Sequence, residues 1–203
     1  MKFYESGDNR KPVIFLFPGT CCLYSSFDHV LDGLHSYFYT VTVSYDGFDP
    51  NEKTEFYSME DECEKIEQEI RKKYGGRIYL VAKIQSSMVV PFMYKMVHTG
   101  TLPKFMQKKL DKTDGGKKEL YNGFFNMFGI GKGGSPWITK QSIYNQFYSD
   151  LVTKVQHGID VPGTTIHVFY ATKMGEKYEK RYCTYFKNPD IRKHNMQHEE
   201  LFC

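Results

Sequence analysis

Apolar positions along this chain fall into alternating short runs and helical stripes. Val13-Ile14-Phe15-Leu16-Phe17 is a continuous apolar run closed by Pro18-Gly19, the pattern of a strand buried on both faces of a parallel sheet. Phe27, Val30, Leu31, Leu34 and Phe38 then recur at three- and four-residue spacing, which predicts a helix. Tyr39 to Ser44 is β-branched and strand-like, and Asp46-Gly47 turns the chain. Ser58 to Tyr74 is the strongest helical segment. Ser58 and Asp61 predict a capping box, and Cys63, Ile66 and Ile70 share a face. Acidic residues crowd its start, and Arg71, Lys72 and Lys73 crowd its end before Gly75-Gly76. Ile78 to Val81 predicts another buried strand, and a helix follows roughly over Gln85 to Val97, with Pro91 delaying its start.

From about Gly100 to Lys140 the periodicity blurs and glycines accumulate, as in Phe128 to Gly134. Regular patterns resume with a strand over Thr165 to Tyr170, a helix over Glu176 to Phe186 and a short strand near Ile191 to Met196. Strands alternating with helices predict an α/β chain: a three-layer α/β/α arrangement on a mostly parallel sheet of about five to seven strands, joined by right-handed crossovers. The expected organisation is a single domain over 1–203, with a lid-like excursion at about 100–148 above the sheet. Between Val97 and Pro103 there is little room for a strand.

Length and composition agree with one ordinary globular core: 203 residues, 40% apolar and 25% charged. The net charge of +3 is mild and both signs are interspersed, so no nucleic-acid footprint is expected. No apolar run approaches the ~18 residues of a membrane span. Met1 to Lys11 has no apolar h-region, so a cytoplasmic rather than secreted protein is expected. The five cysteines, Cys21, Cys22, Cys63, Cys183 and Cys203, are odd in number and lack metal-ligand spacing. They are read as thiols in a reducing compartment, with no metal and no cofactor expected.

In an open parallel sheet, ligands bind beyond the carboxyl ends of the strands. That singles out the loops Pro18 to Ser25, Tyr45 to Pro50, Ala82 to Ser87 and Ala171 to Glu176, together with Met196 to Glu199. Their residues carry a resemblance. Val13 to Leu34, with Pro18-Gly19-Thr20 at the turn, looks like the first strand and oxyanion loop of α/β-hydrolases. Ile78 to Val97 is similar to that family's nucleophile elbow, and Gln197-His198-Glu199-Glu200-Leu201 resembles its histidine loop. The matches cover roughly residues 12–98 and 162–202.

The resemblance implies a degenerate esterase- or lipase-like site. An elbow needs Gly-X-Ser-X-Gly so that small flanks let the serine stand clear. Here the motif reads Ala82-Lys83-Ile84-Gln85-Ser86, placing Ile84 at the nucleophile position. The acid pattern laid on Tyr170 to Met174 puts Met174 at the acid position, with Glu176 two residues on. His198 is the one triad-like residue retained. The resemblance also implies oxyanion donors at the Gln85 N–H and in the Thr20-Cys21 loop, and aromatics Phe124, Phe125, Phe128 and Trp137 either roofing a pocket or packing the excursion onto the sheet.

The reading is therefore an impaired α/β-hydrolase-fold protein with a pocket for a small molecule bearing a carbonyl or carboxylate group. An active esterase-like site using Cys21 or Cys22 with His198 is the alternative, and a non-catalytic interaction module is the third. The chain runs five residues past His198, where that family continues into a closing helix. An uncovered sheet face, and a homo-oligomer through it, are expected on that ground.

Overall fold

A computed structural model describes residues 1–75, 78–82, 90–197 and 200. They fall into two compact units, Met1–Val152 and the chain from Thr153 onward.

In the first unit, β2 (Val13–Phe17) lies between β3 (Tyr39–Ser44) and β4 (Ile78–Ala82) and is parallel to both. An edge strand, β1 (Lys2–Ser6), runs antiparallel to β3, giving the order β1-β3-β2-β4. The alternation of side chains along a strand sorts β2 between two apolar clusters. Phe15 and Phe17 enter the larger one with Val41 and Val43. Ile14 and Leu16 join Phe27, backed by Val30, Leu31, Leu34 and Phe38. Those last four residues belong to α1 (Asp28–His35) and the turn after it, so the predicted stripe is the layer covering one face of the sheet.

α2 (Met59–Lys73) begins at Ser58, whose hydroxyl accepts the Asp61 N–H at 3.2 Å, the expected cap. Its buried side is shifted by one position from the expected one. Glu62 is fully buried and Ile66 and Ile70 pack on the core, whereas Cys63 is exposed. α3 (Val90–Thr99) contains Pro91 in its first described turn, where a missing N–H costs least. No strand is recorded over 100–103 among the described residues.

The excursion is helical where no period was legible: α4 (Lys104–Asp111), α5 (Gly115–Asn126) and α6 (Lys140–Val152). Phe125 and Phe128 are buried in the same cluster as Phe15 and Val41, and Phe124 and Trp137 pack against it. All four aromatics thus pack with the core. The glycine-rich turn closes on the end of α3. An added Cβ on Gly134 would lie 2.5 Å from the Gly100 nitrogen, and one on Gly100 2.3 Å from the Gly134 nitrogen. Both glycines sit at positive φ.

The second unit holds β5 (His167–Ala171) and β6 (Asp190–His194), a parallel pair connected by a 3₁₀ turn (Thr172–Met174) and α7 (Glu176–Tyr185). The α/β class is as expected. The described strands form one sheet of four and one of two, which leaves a single sheet of five to seven strands unconfirmed. The unforeseen β1 lies in a polar segment that hydropathy alone does not mark, and its pairing with β3 is what makes it a strand. No helix among the described residues is long and apolar enough to cross a membrane.

Candidate functional site

β2 and β4 end side by side, with Phe17 paired to Ala82, so the Pro18 loop leaves the sheet at the carboxyl ends of its strands. The Cys22 N–H donates to the Gly19 carbonyl at 2.9 Å and closes a tight turn. Cys21 takes a left-handed conformation at φ 59, uncommon for a residue with a side chain. Thr20, Cys21 and Cys22 are all buried.

Helix α6 meets this turn with acceptors. The Cys21 N–H donates to Gln146 Oε1 at 2.7 Å, and Thr20 Oγ1 donates to Asp150 Oδ2 at 2.6 Å. The same helix serves the loop after β3. Ser142 Oγ accepts the Phe56 N–H at 3.2 Å, Ser149 Oγ accepts the Met59 N–H at 3.3 Å, and Asn145 Nδ2 donates to the Phe56 carbonyl at 2.8 Å. Buried backbone donors must find partners, and α6 supplies them along one side. Sequence reasoning missed the helix for the same reason. Ser142, Gln146 and Ser149 are buried beside Ile143 and Phe147, so the apolar–polar contrast that marks a surface helix is lost. The available signal was the four-residue spacing of Ile143 and Phe147 against Gln146 and Asp150.

The electrostatics are those of buried groups. Burial pushes the Cys21 thiol well above its ordinary range, with Cys22 and Asp150 adding to the effect. Burial also raises Asp150, opposed by the Thr20 hydroxyl. The Tyr45 phenol is raised by burial and then by the nearby Glu62 carboxylate. Glu62 is pushed up to about 7 by burial, against the Asp46 N–H it accepts at 3.1 Å. Asp46 would be raised by burial, but Lys65 and the α-amino group of Met1 hold it below the usual carboxylate value.

Asp46, Asp61 and Glu62 bring carboxylate oxygens within 4.8 Å of one another, the spacing of a cation site. The Lys65 ammonium pairs with all three, at 3.3 Å from Glu62 Oε1 and closer to Asp46 and Asp61. A tethered cation therefore already serves these oxygens.

Ile84, Gln85 and His198 lie outside the described residues, as do Lys83 and Ser86. The elbow segment is bracketed in the chain by β4 and α3, the order an elbow requires. Met174 sits in the 3₁₀ turn immediately after β5, followed by Gly175 at φ 93 and the exposed Glu176.

No family model matches the chain, and no curated protein matches it in sequence. Solved structures do match. An alpha/beta hydrolase family protein from Desulfitobacterium hafniense superposes with a TM-score of 0.64 at 13% identity, over 99% of this chain and 94% of its own. A marine microorganism esterase matches with a TM-score of 0.57 at 14% identity, over 99% and 93% of the two chains. 1H-3-hydroxy-4-oxoquinoline 2,4-dioxygenase matches with a TM-score of 0.54 at 14% identity, over 98% and 90%. The chain has the α/β-hydrolase fold.

Within that fold, a dioxygenase among the similar structures shows that the scaffold does not dictate the reaction. Function has to be argued from the side chains. The Pro18 turn follows β2 at the carboxyl end of the sheet. Its Thr20 hydroxyl and Cys21 N–H are both bonded to α6. Met174 stands in the turn after β5, where the acid was sought, and carries no ionisable group. The rescue of chemistry by Cys21 is not favoured, because a thiol pushed up by burial holds little thiolate.

Proposed function

We propose that the chain is one α/β-hydrolase-fold domain that has given up Ser–acid–His ester hydrolysis and binds a small molecule through a carbonyl or carboxylate group. The observation that carries this reading is Ile84, an aliphatic residue between the small flanks Ala82 and Ser86, in a chain with this fold. A hydrocarbon side chain has no proton to lose and no lone pair to attack with. Loss of the nucleophile alone costs about as much as loss of a whole triad, ~10⁶ in kcat. Met174 at the acid position removes the group that would orient His198, and an unoriented histidine costs ~10⁴ in a known triad. Five cysteines without metal-ligand spacing go with a reducing, cytoplasmic setting.

The test is turnover of short-chain nitrophenyl esters together with labelling by an alkyl fluorophosphonate. No more than trace hydrolysis and no label are expected. Robust turnover that disappears on His198→Ala would overturn the reading by showing that another nucleophile operates.

A further inference from the structure

Positive charge is unevenly placed along this chain. Residues 104–119 carry six lysines and no arginine, against Asp111, Asp114 and Glu119, so this short stretch holds as much net charge as the whole chain, +3. Helix α4 turns that charge outward. Met106 packs on the core and Leu110, four residues on, is buried. At about 100° per residue, Lys104, Lys108 and the C-cap residue Lys112 fall on the opposite side. All three are exposed, as are Lys109 and Lys117, and none of these lysines forms an ion pair with another described residue. Asp111, the one acid within the helix, accepts a hydrogen bond from the Gln107 amide at 2.9 Å. Phe105 stands among the lysines and is 67% exposed. Past the end of the helix, Lys112 and Lys117 line a cleft of about 560 Å³ together with Thr113, Asp114, Gly116 and Tyr121.

We propose that this face of α4 and the turn after it dock on an anionic lipid surface, with the chain lying on the membrane and not crossing it. The surface goes beyond the small-molecule reading above and does not depend on it. Clusters of about four to eight basic residues on an amphipathic helix are what acidic headgroups attract. Phe105 selects a lipid over other polyanions. In a bilayer interface a phenyl ring enters the boundary between headgroups and acyl chains. The lysine stems then lie along the apolar layer while their ammonium groups stay at the phosphates. A nucleic acid would offer Phe105 no such layer. The stretch also lacks the guanidinium forks that suit phosphate and base edges. The cleft fits the same occupant, because Lys112 and Lys117 give a headgroup phosphate two positive charges against one negative, Asp114.

The experiment is co-sedimentation of the whole chain with phosphatidylcholine vesicles, pure or containing about one-third phosphatidylserine, at roughly 0.15 M salt. Binding is expected to the acidic vesicles and not to the pure ones, and it should vanish at about 1 M salt. The triple variant Lys104→Gln, Lys108→Gln, Lys112→Gln should bind on the order of 100-fold more weakly, since each lysine near such a surface is worth about fivefold. Phe105→Ser keeps every charge and should weaken binding by roughly threefold or more. The altered side chains are exposed, and circular dichroism matching the parent would show that both variants fold. Equal sedimentation with both vesicles overturns the proposal, as does none with the acidic ones. So does a triple variant that binds like the parent. Unchanged binding of Phe105→Ser, or tighter binding of a short single-stranded DNA than of acidic vesicles at the same salt, removes lipid as the partner and overturns it too. None of these results bears on ester turnover, so this surface and the impaired-hydrolase reading stand or fall separately.

Discussion

Two parallel strand pairs in this chain, β2 with β3 and β5 with β6, have different fates. β2 and β3 are buried along nearly their whole length, because α1 covers one face and the aromatic cluster the other. β5 is buried only at Tyr170 and Ala171, β6 nowhere, and Phe169 is 56% exposed. Apolar and β-branched residues mark β2, β3 and β5, whereas β6 carries Ile191 alone among polar residues. Burial depends on what covers each face, and that information lies far away in the chain.

The contrast breaks most directly by truncation. Phe15→Ala should cost ~3–5 kcal/mol, since a fully buried aromatic leaves a cavity, while Phe169→Ala should stay within ~0.5 kcal/mol. Urea unfolding monitored by Trp137, the chain's one tryptophan, reads the first, and circular dichroism reads the second. Equal costs would show that the strand pairs are equally packed.

A second contrast sets buried carboxyls against exposed ones. Glu62 is raised from its ordinary 4.5 to about 7, so the folded chain holds this proton more tightly than the unfolded chain. Its stabilisation is present at low pH and lost as pH rises from about 4.5 through about 7, by up to roughly 3 kcal/mol. Asp150 acts in the same direction. Asp190, exposed and held low by His167 and then Arg192, contributes in the opposite sense and only in more acid solution. Glu62→Gln should therefore flatten the fall in urea midpoint between pH 5 and pH 7.5. Parallel curves for variant and parent would rule Glu62 out as its source.

The loops that follow the strands differ as well. Thr20→Val leaves Asp150 buried without its donor and should cost ~1–3 kcal/mol, with Thr20→Ser recovering most of it. If serine fails to rescue, the methyl group rather than the hydrogen bond matters. By contrast, Met174→Ala in the short turn after β5 should cost under ~1 kcal/mol in urea unfolding. A larger loss would mean that this turn is packed as firmly as the Thr20 turn.

Much of the scaffold was legible because it rests on local signals. Val13 to Phe17 and Tyr39 to Ser44 are strands to the residue, and Ser58 caps its helix as read. β1 escaped because a polar edge strand needs only backbone pairing to β3. α4 to α6 escaped for two reasons: glycines interrupt the composition, and α6 buries serines and a glutamine. At the candidate site, the positions of Thr20 and Cys21 followed from the strand before them. Their partners Gln146 and Asp150 did not, because a hydrogen bond across 125 residues has no signature in either segment.

The facing pair Gly100 and Gly134 bears on how the chain can be cut, tagged or rejoined. Composition makes the Gly133-Gly134 stretch look like a spacer, the sort of place chosen for a fluorescent insert or a new pair of ends. With two backbones meeting at 2.5 Å from any added Cβ, it behaves instead as a rivet. Gly115 and Gly116, alike on paper, have open space around them, and there an insert would find room. In this chain a glycine doublet marks a joint in one place and a seam in another.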